Sequence, residues 1–248
     1  MDGLVVVPTY NEVATLERAV KGVLTATDEL DVLIVDDASP DGTGDLADGL
    51  TACEPRVHVL HRAGKNGLGS AYREGFAWGM TRGAHVLCEM DADLSHDPLD
   101  LPRILSALRG ADLVIGSRYV HQGQVVDWPP SRRALSRVGN AYVRIATGIP
   151  VRDSTAGFRA YRRAVLEELD LPSIASEGYS FQLEMALRAW RLGFRILEVP
   201  IVFTERREGA SKISRAIVAE ALWRVLWWGA AGPRRAPAPH ERSVARQR

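Results

Sequence analysis

The chain has 248 residues, 46% of them hydrophobic and 25% charged, which suits one domain with a substantial core plus an appendage and argues against a disordered or fibrous protein. Lys plus Arg and Asp plus Glu both total 31, so the overall charge offers no basis for binding nucleic acid. The two cysteines, with Cys88 inside an apolar run, argue against a disulfide framework and fit a reducing cytoplasm.

The first strand is read over Leu4–Val7, close to the N-terminus and with no basic, apolar leader, so no signal peptide is expected. Asn11 is then expected to cap a helix whose apolar positions Val13, Leu16, Val20, Val23 and Leu24 follow helical spacing. Strands follow at Val32–Val35 and Val57–Leu60, a glycine-containing helix over Gly69–Thr81, and strands at Ala84–Glu89 and Leu113–Ile115. Continuous apolar strands alternating with helices predict an α/β fold with a mostly parallel sheet covered on both faces. Beyond residue 116 the pattern loosens. Gln122–Ser131 reads as a loop, helices are expected near 134–147 and 178–192, and Arg195–Val199 returns to the core as a strand.

The segment Met90-Asp91-Ala92-Asp93-Leu94-Ser95-His96-Asp97-Pro98 carries the clearest chemistry. Two carboxylates at i and i+2, where a buried strand ends, project to one side, close enough to share a divalent cation. Hard oxygen ligands without a nearby Cys pair suit Mg²⁺ or Mn²⁺, and at the carboxyl edge of an α/β sheet such an ion would hold a diphosphate. Capping accounts for Asp97, a good N-cap before Pro98, but leaves Asp91 and Asp93 unexplained, because adjacent like charges are unfavourable without a cation. Two other strands end in acids and turn residues. Pro8-Thr9-Tyr10-Asn11-Glu12 offers Tyr10 to lie against a base and Glu12 to accept from it, and Val35-Asp36-Asp37-Ala38-Ser39-Pro40-Asp41-Gly42-Thr43 offers an Asp for a ribose hydroxyl. Gly-x-Gly-x-x-Gly after the first strand and Gly-Lys-Ser/Thr are both missing, which argues against dinucleotide and P-loop enzymes. Gly64–Gly69 is glycine-rich but lacks those signatures.

These segments, together with Gly67-Leu68-Gly69 to Gly75-Phe76, Gly116-Ser117-Arg118-Tyr119, Asp153 to Arg159 and Arg206 to Lys212, occur in the order found in family 2 glycosyltransferases. The chain resembles most the polyprenol-phosphate (dolichyl-phosphate) mannosyltransferases, over residues 3 to about 214. The resemblance implies a GT-A, Rossmann-like fold and inverting transfer of mannose from GDP-mannose to a polyprenyl phosphate. It places Pro8, Tyr10, Glu12, Val35 and Asp37 around the guanosine, and Asp91, Ala92 and Asp93 at the metal and diphosphate. Ser95 stands where relatives often carry a Gln that can ligate the metal. Arg118, Arg206 and Lys212 are expected to neutralise the donor and acceptor phosphates, and Arg132 with Ser136 to receive the acceptor phosphate. For Arg132 a solvated surface charge is the alternative, and Asp153 and Glu184 are expected beneath the site with no chemical role.

A phosphate oxygen is already anionic at neutral pH, so such an acceptor needs no general base, and the requirement falls instead on stabilising the departing nucleoside diphosphate. UDP-sugar-dependent transfer, for example of glucose, and a non-catalytic nucleotide-sugar-binding regulatory subunit are the competing readings.

The sequence divides into a catalytic domain over 1–212, an amphipathic segment over 213–232 and a Pro/Arg-rich, disordered tail over 233–248. The tail holds five Arg and one Glu, a net +4, leaving −4 for the remainder of a chain whose net charge is zero. From Ala216 to Ala231 only Glu220 and Arg224 are charged, among Trp223, Trp227 and Trp228. That run is short of the roughly 20 apolar residues needed to span a bilayer. It reads either as an interfacial helix on the inner face of the cell membrane or as a helix packed on the domain, and a partner membrane protein is a further expectation.

Overall fold

In the computed structural model, residues 2–205 and 223–230 are described. The strands are β1 (Gly3–Thr9), β2 (Leu30–Asp36), β3 (Val57–His61), β4 (Val86–Glu89), β5 (Leu113–Ser117), β6 (Gln124–Val126), β7 (Arg159–Arg162), β8 (Ile196–Pro200) and β9 (Val202–Thr204). The helices are α1 (Leu16–Ala26), α2 (Thr43–Cys53), α3 (Leu68–Thr81), α4 (Leu101–Leu108), α5 (Pro130–Thr147), α6 (Arg163–Glu168) and α7 (Tyr179–Arg191), and residues 223–230 are also helical. Seven strands form one sheet in the order β3-β2-β1-β4-β7-β5-β8, parallel except for β7, which runs antiparallel to both its neighbours. β6 and β9 make a separate two-stranded parallel ribbon.

Both faces of the large sheet are covered, which is why its strands read as unbroken apolar runs. Along β1, Leu4 and Val6 enter the core layer that holds Phe76, Val143 and Phe181, whereas Val5 and Val7 enter the opposite layer with Leu16, Val20 and Ile104. The two-residue period of the strand thus divides between two helical layers.

Three expectations are corrected. Asn11 does not cap α1. The helix starts at Leu16, Asn11 lies in the left-handed region at φ 62°, and Val13 is 42% exposed. The loop is instead tied across to the next one: Asn11 N–H donates to Ser39 Oγ at 3.1 Å, Glu12 N–H to Thr43 Oγ1 at 3.0 Å and Val13 N–H to Asp41 Oδ2 at 3.3 Å. The stretch 122–131 contains β6 and the start of α5, because β6 gains its backbone partners from β9, far along the chain. The third correction is β7, hidden in the sequence by its two arginines. Asp97 does act as expected, accepting from Leu99 N–H at 3.0 Å before Pro98.

The closeness of α3 to β1 gives a test of packing against propensity. A Cβ on Gly75 would lie 2.4 Å from Val6 Cγ1 and 3.4 Å from Val35 Cγ2, both fully buried side chains. Helix propensity alone favours Ala over Gly by about 1 kcal/mol, but overpacking a closed core costs about 1–3 kcal/mol. Gly75→Ala should therefore lower the urea midpoint. A raised midpoint would show that α3 can shift away from the sheet.

Candidate active site

The carboxyl ends of the parallel strands build the site. Thr9 Oγ1, at the end of β1, donates to Asp36 Oδ1 at 3.3 Å, and Asp36 also accepts from Ser39 N–H at 3.2 Å and Ser39 Oγ at 2.6 Å. Both acids are buried, but Asp36 is spent on shaping the turn, which leaves Asp37 as the acid of this pair for a ligand role. The Asp37 carboxylate is fixed by Arg62 Nη1 on Oδ1 and by Asn66 N–H on Oδ2 at 3.3 Å. Arg62 in turn reaches Ser70 Oγ at 2.5 Å and Glu74 Oε1 at 3.0 Å. Lys65 Nζ sits 3.8 Å from the centre of the Tyr10 ring, a cation–π contact. Pro8 is half-buried beside them, and Glu12 accepts from Thr15 Oγ1 at 3.1 Å. Val35 is fully buried and its side chain faces α3, so it can meet a ligand only through its backbone.

β4 lies next to β1 with Val6 opposite Glu89, so Asp91 leaves the sheet beside the Pro8-Thr9-Tyr10 turn. Tyr72 Oη donates to Asp91 Oδ1 at 3.2 Å, and Asp91 N–H donates to His96 Nδ1 at 3.3 Å. His96 is buried, stacked on Phe158 with centroids 5.0 Å apart. Asp93 Oδ1 accepts from Ser95 N–H at 3.0 Å across Leu94, whose φ of 62° completes an Asx turn. Ala92 and Ser95 are buried. Beneath them Glu89 is fully buried, and burial pushes its carboxyl up to about 7 against the opposing pull of Arg159.

Asp91, Asp93, Ser95, Arg118 and Arg132 line one cavity of about 410 Å³. Arg118 is buried at its wall, with Nε 2.7 Å from Asp153 Oδ2, Nη2 2.6 Å from Asp153 Oδ1 and Nη2 2.9 Å from Thr155 Oγ1. Burial works against its charge, and the Asp153 carboxylate outweighs that, holding the guanidinium above its ordinary range. Arg132 is half-buried, ion-paired to Glu205 and 4.1 Å from the Trp128 ring centre. Ser136 is not among the lining residues; its carbonyl accepts from Asn140 Nδ2 at 3.0 Å on α5. Arg206 and Lys212 lie outside the described residues. Glu184 is buried, accepting from Ser176 Oγ and pairing with Arg188.

Sequence reading missed Arg62 and Lys65, although Arg62 directly follows β3 on the same sheet edge that singled out Tyr10 and Asp37. It also missed the aromatic walls: Trp128 and Phe203, which lie in a loop and a three-residue strand that carry no periodic signal, and Tyr179, which opens the expected helix α7.

Two carboxylates on hard oxygens fit Mg²⁺ or Mn²⁺, because such ions commonly take one or two carboxylates and complete their shell with substrate phosphate and water. Among the described residues no group of three or more His, Cys, Asp or Glu gathers to hold an ion, so the pair would depend on the ligand for the remaining oxygens.

Open α/β sheets bind their ligands at the carboxyl ends of the strands, where the acidic pair lies here, and the fold is that of the GT-A glycosyltransferases. Residues 4–170 match the model of glycosyl transferase family 2, and the chain belongs to that family. It is 55% identical over 228 residues to the undecaprenyl-phosphate mannosyltransferase of Micrococcus luteus, covering 92% of this chain and 94% of that one. It is 52% identical over 231 residues to the polyprenol monophosphomannose synthase of Mycolicibacterium smegmatis, covering 92% and 87%. The fold matches a mannosyltransferase from Pyrobaculum calidifontis in complex with GDP-Man and Mn²⁺ at a TM-score of 0.57 and 18% identity, covering 93% of this chain and 70% of that one. It also matches glucosyl-3-phosphoglycerate synthase from Mycobacterium tuberculosis, in complex with Mn²⁺, UDP and glucosyl-3-phosphoglycerate, at 0.64 and 20%, covering 93% and 80%.

Removing one member of a buried ion pair strands the other charge and costs about 3–5 kcal/mol. Arg62→Met should therefore lower stability in urea unfolding, and adding Asp37→Asn should restore most of the loss. A double variant no more stable than Arg62→Met would show that Arg62 acts by packing and not by holding Asp37.

Proposed function

We propose that this glycosyltransferase moves mannose from GDP-mannose to the phosphate of a polyprenyl phosphate, inverting the anomeric carbon. The observation that carries this reading is identity above 50% to two relatives named for such transfer, over more than nine-tenths of the chain.

Tyr10 lies against the base, Glu12 accepts from it, and Asp37, held by Arg62 and Asn66, is the acid for the ribose hydroxyl. Asp91 and Asp93 would hold Mg²⁺ or Mn²⁺, with Ser95 beside them, and the bound ion would supply charge neutralisation for the diphosphate. Tyr72 orients the Asp91 carboxylate, and the Ser95 amide orients that of Asp93. Arg118, stiffened by Asp153, and Arg132 present their charge to the acceptor phosphate, and Arg206 and Lys212 complete the basic set. A phosphate oxygen of the acceptor attacks the anomeric carbon, a carbon–oxygen bond forms, and the bond to the diphosphate breaks with its electron pair leaving on GDP. No proton needs to be removed from the nucleophile.

Attachment at a membrane surface fits the lipid acceptor. Among the described residues no helix is long and apolar enough to cross a membrane. Trp223, Leu226 and Trp227 are exposed on the 223–230 helix, and Leu135, Val138 and Ile145 on α5, where Arg137 and Arg144 are exposed beside them. Apolar side chains flanked by arginine suit an anionic interface.

Incubation with a polyprenyl phosphate, Mg²⁺ or Mn²⁺, and either GDP-mannose or UDP-glucose, followed by mass analysis of the lipid, should give the mannosyl product only. A glucosyl product would move the reading to a glucosyltransferase. Asp93→Asn keeps the acceptor for Ser95 N–H while removing a charge, so turnover should fall on the order of a hundredfold or more with the melting temperature unchanged or raised. Wild-type turnover in that variant would sink the assignment of Asp93 to the metal.

A further inference from the structure

The 223–230 helix is tied to the catalytic domain on one side. Val225 is 2% and Trp228 9% exposed within the core layer beneath α5 and α7, and Arg191 Nη2 donates to the Trp228 carbonyl at 2.5 Å. A Cβ on Gly229 would lie 2.3 Å from the Ala146 carbonyl oxygen, so this helix and α5 touch backbone to backbone. Arg224, on the same helix, lines the 410 Å³ cavity together with Asp91 and Asp93.

Arg224 is also aimed. Its Nη1 donates to Ser176 Oγ at 3.2 Å, and the Ser176 hydroxyl donates to Glu184, which is held by Arg188 Nη2 at 2.5 Å. Ser176 and Glu184 are both buried, so this relay fixes the arginine from below. Among the described lining residues Arg224 adds a third arginine to Arg118 and Arg132, opposite Asp91, Asp93, Glu177 and Glu205, and a second anion in the cavity needs such cations beside it.

Resting on the transfer proposed above, we infer that Arg224 binds the acceptor phosphate, so that the C-terminal helix completes the active site besides facing the membrane. The donor diphosphate belongs on the Asp91–Asp93 side. Arg224 instead enters from the element that exposes Trp223 and Trp227 and abuts α5, the helix that carries Arg132. It thus reaches the cavity from the side on which a lipid-anchored phosphate arrives.

Initial rates of the full chain with a short, water-soluble polyprenyl phosphate separate this role from membrane attachment. Arg224→Gln keeps a polar side chain but carries no charge. It should raise the KM for the acceptor about tenfold or more and leave that for GDP-mannose within about twofold, as expected for one lost charge-assisted hydrogen bond. Arg224→Lys, which keeps the charge without the fork, should fall between Arg224→Gln and the wild type, and it serves alone if the Gln variant melts below the assay temperature. An unchanged acceptor KM in these variants, or equal rises for donor and acceptor, would overturn the inference while leaving the wild-type reaction in place. A wild type that forms no mannosyl lipid would overturn the transfer itself, and this role with it.

Discussion

The ion pair between Arg118 and Asp153 is the contact through which the site is assembled. Asp153 is fully buried, and a carboxylate in that position is tolerable only because Arg118 meets it in a two-pronged contact and adds its own backbone N–H at 2.9 Å. The pair joins the end of β5 to the turn that enters β7. Glu198 on β8 accepts from the Arg152 and Asp153 amides at 2.8 and 2.9 Å, and Asn140 on α5 accepts from Ser154 N–H and Oγ, both at 2.8 Å. Burial raises the Glu198 carboxyl, and the two amides oppose that shift.

What this turn positions is the floor beside the acidic pair. Thr155, Ala156 and Gly157 line the cavity, and a Cβ on Gly157 would come within 3.5 Å of Asp91 Oδ2. The strand that follows is fixed by Arg159, fully buried, which donates to the carbonyls of Ser154, Ala156 and Gln182 at 2.8, 2.7 and 2.6 Å. One cation therefore satisfies three backbone acceptors on two elements and sits opposite Glu89 in the β4–β7 ladder. The antiparallel strand is the device that brings a turn from late in the chain against the carboxyl end of β4.

The parts of this arrangement legible in the sequence are those whose signal is local. Asp91 and Asp93 are two residues apart at a strand end, Asp97 precedes a proline, and the parallel strands are apolar on both faces. Contacts between distant residues left no such trace. Asp37 and Arg62 are 25 positions apart, Arg118 and Asp153 are 35, and the loop ties that displace Asn11 from its expected cap span 28 to 31. β7 was obscured because a buried arginine satisfied by carbonyls breaks the apolar pattern of a core strand. Interfacial helix and packed helix are the competing readings of residues 216–231, and the described part divides by side: Val225 and Trp228 are buried, Trp223 and Trp227 exposed.

The central claim is that the nucleoside diphosphate and its metal meet at Asp91 and Asp93, in the cavity walled by the Arg118–Asp153 turn. Anomalous X-ray diffraction from crystals grown with GDP and Mn²⁺ tests it directly. The account predicts a manganese peak in contact with the Asp91 and Asp93 carboxylates, with the guanosine against Tyr10, Glu12 and Asp37. A manganese peak away from both carboxylates, or a guanine bound elsewhere, would contradict it.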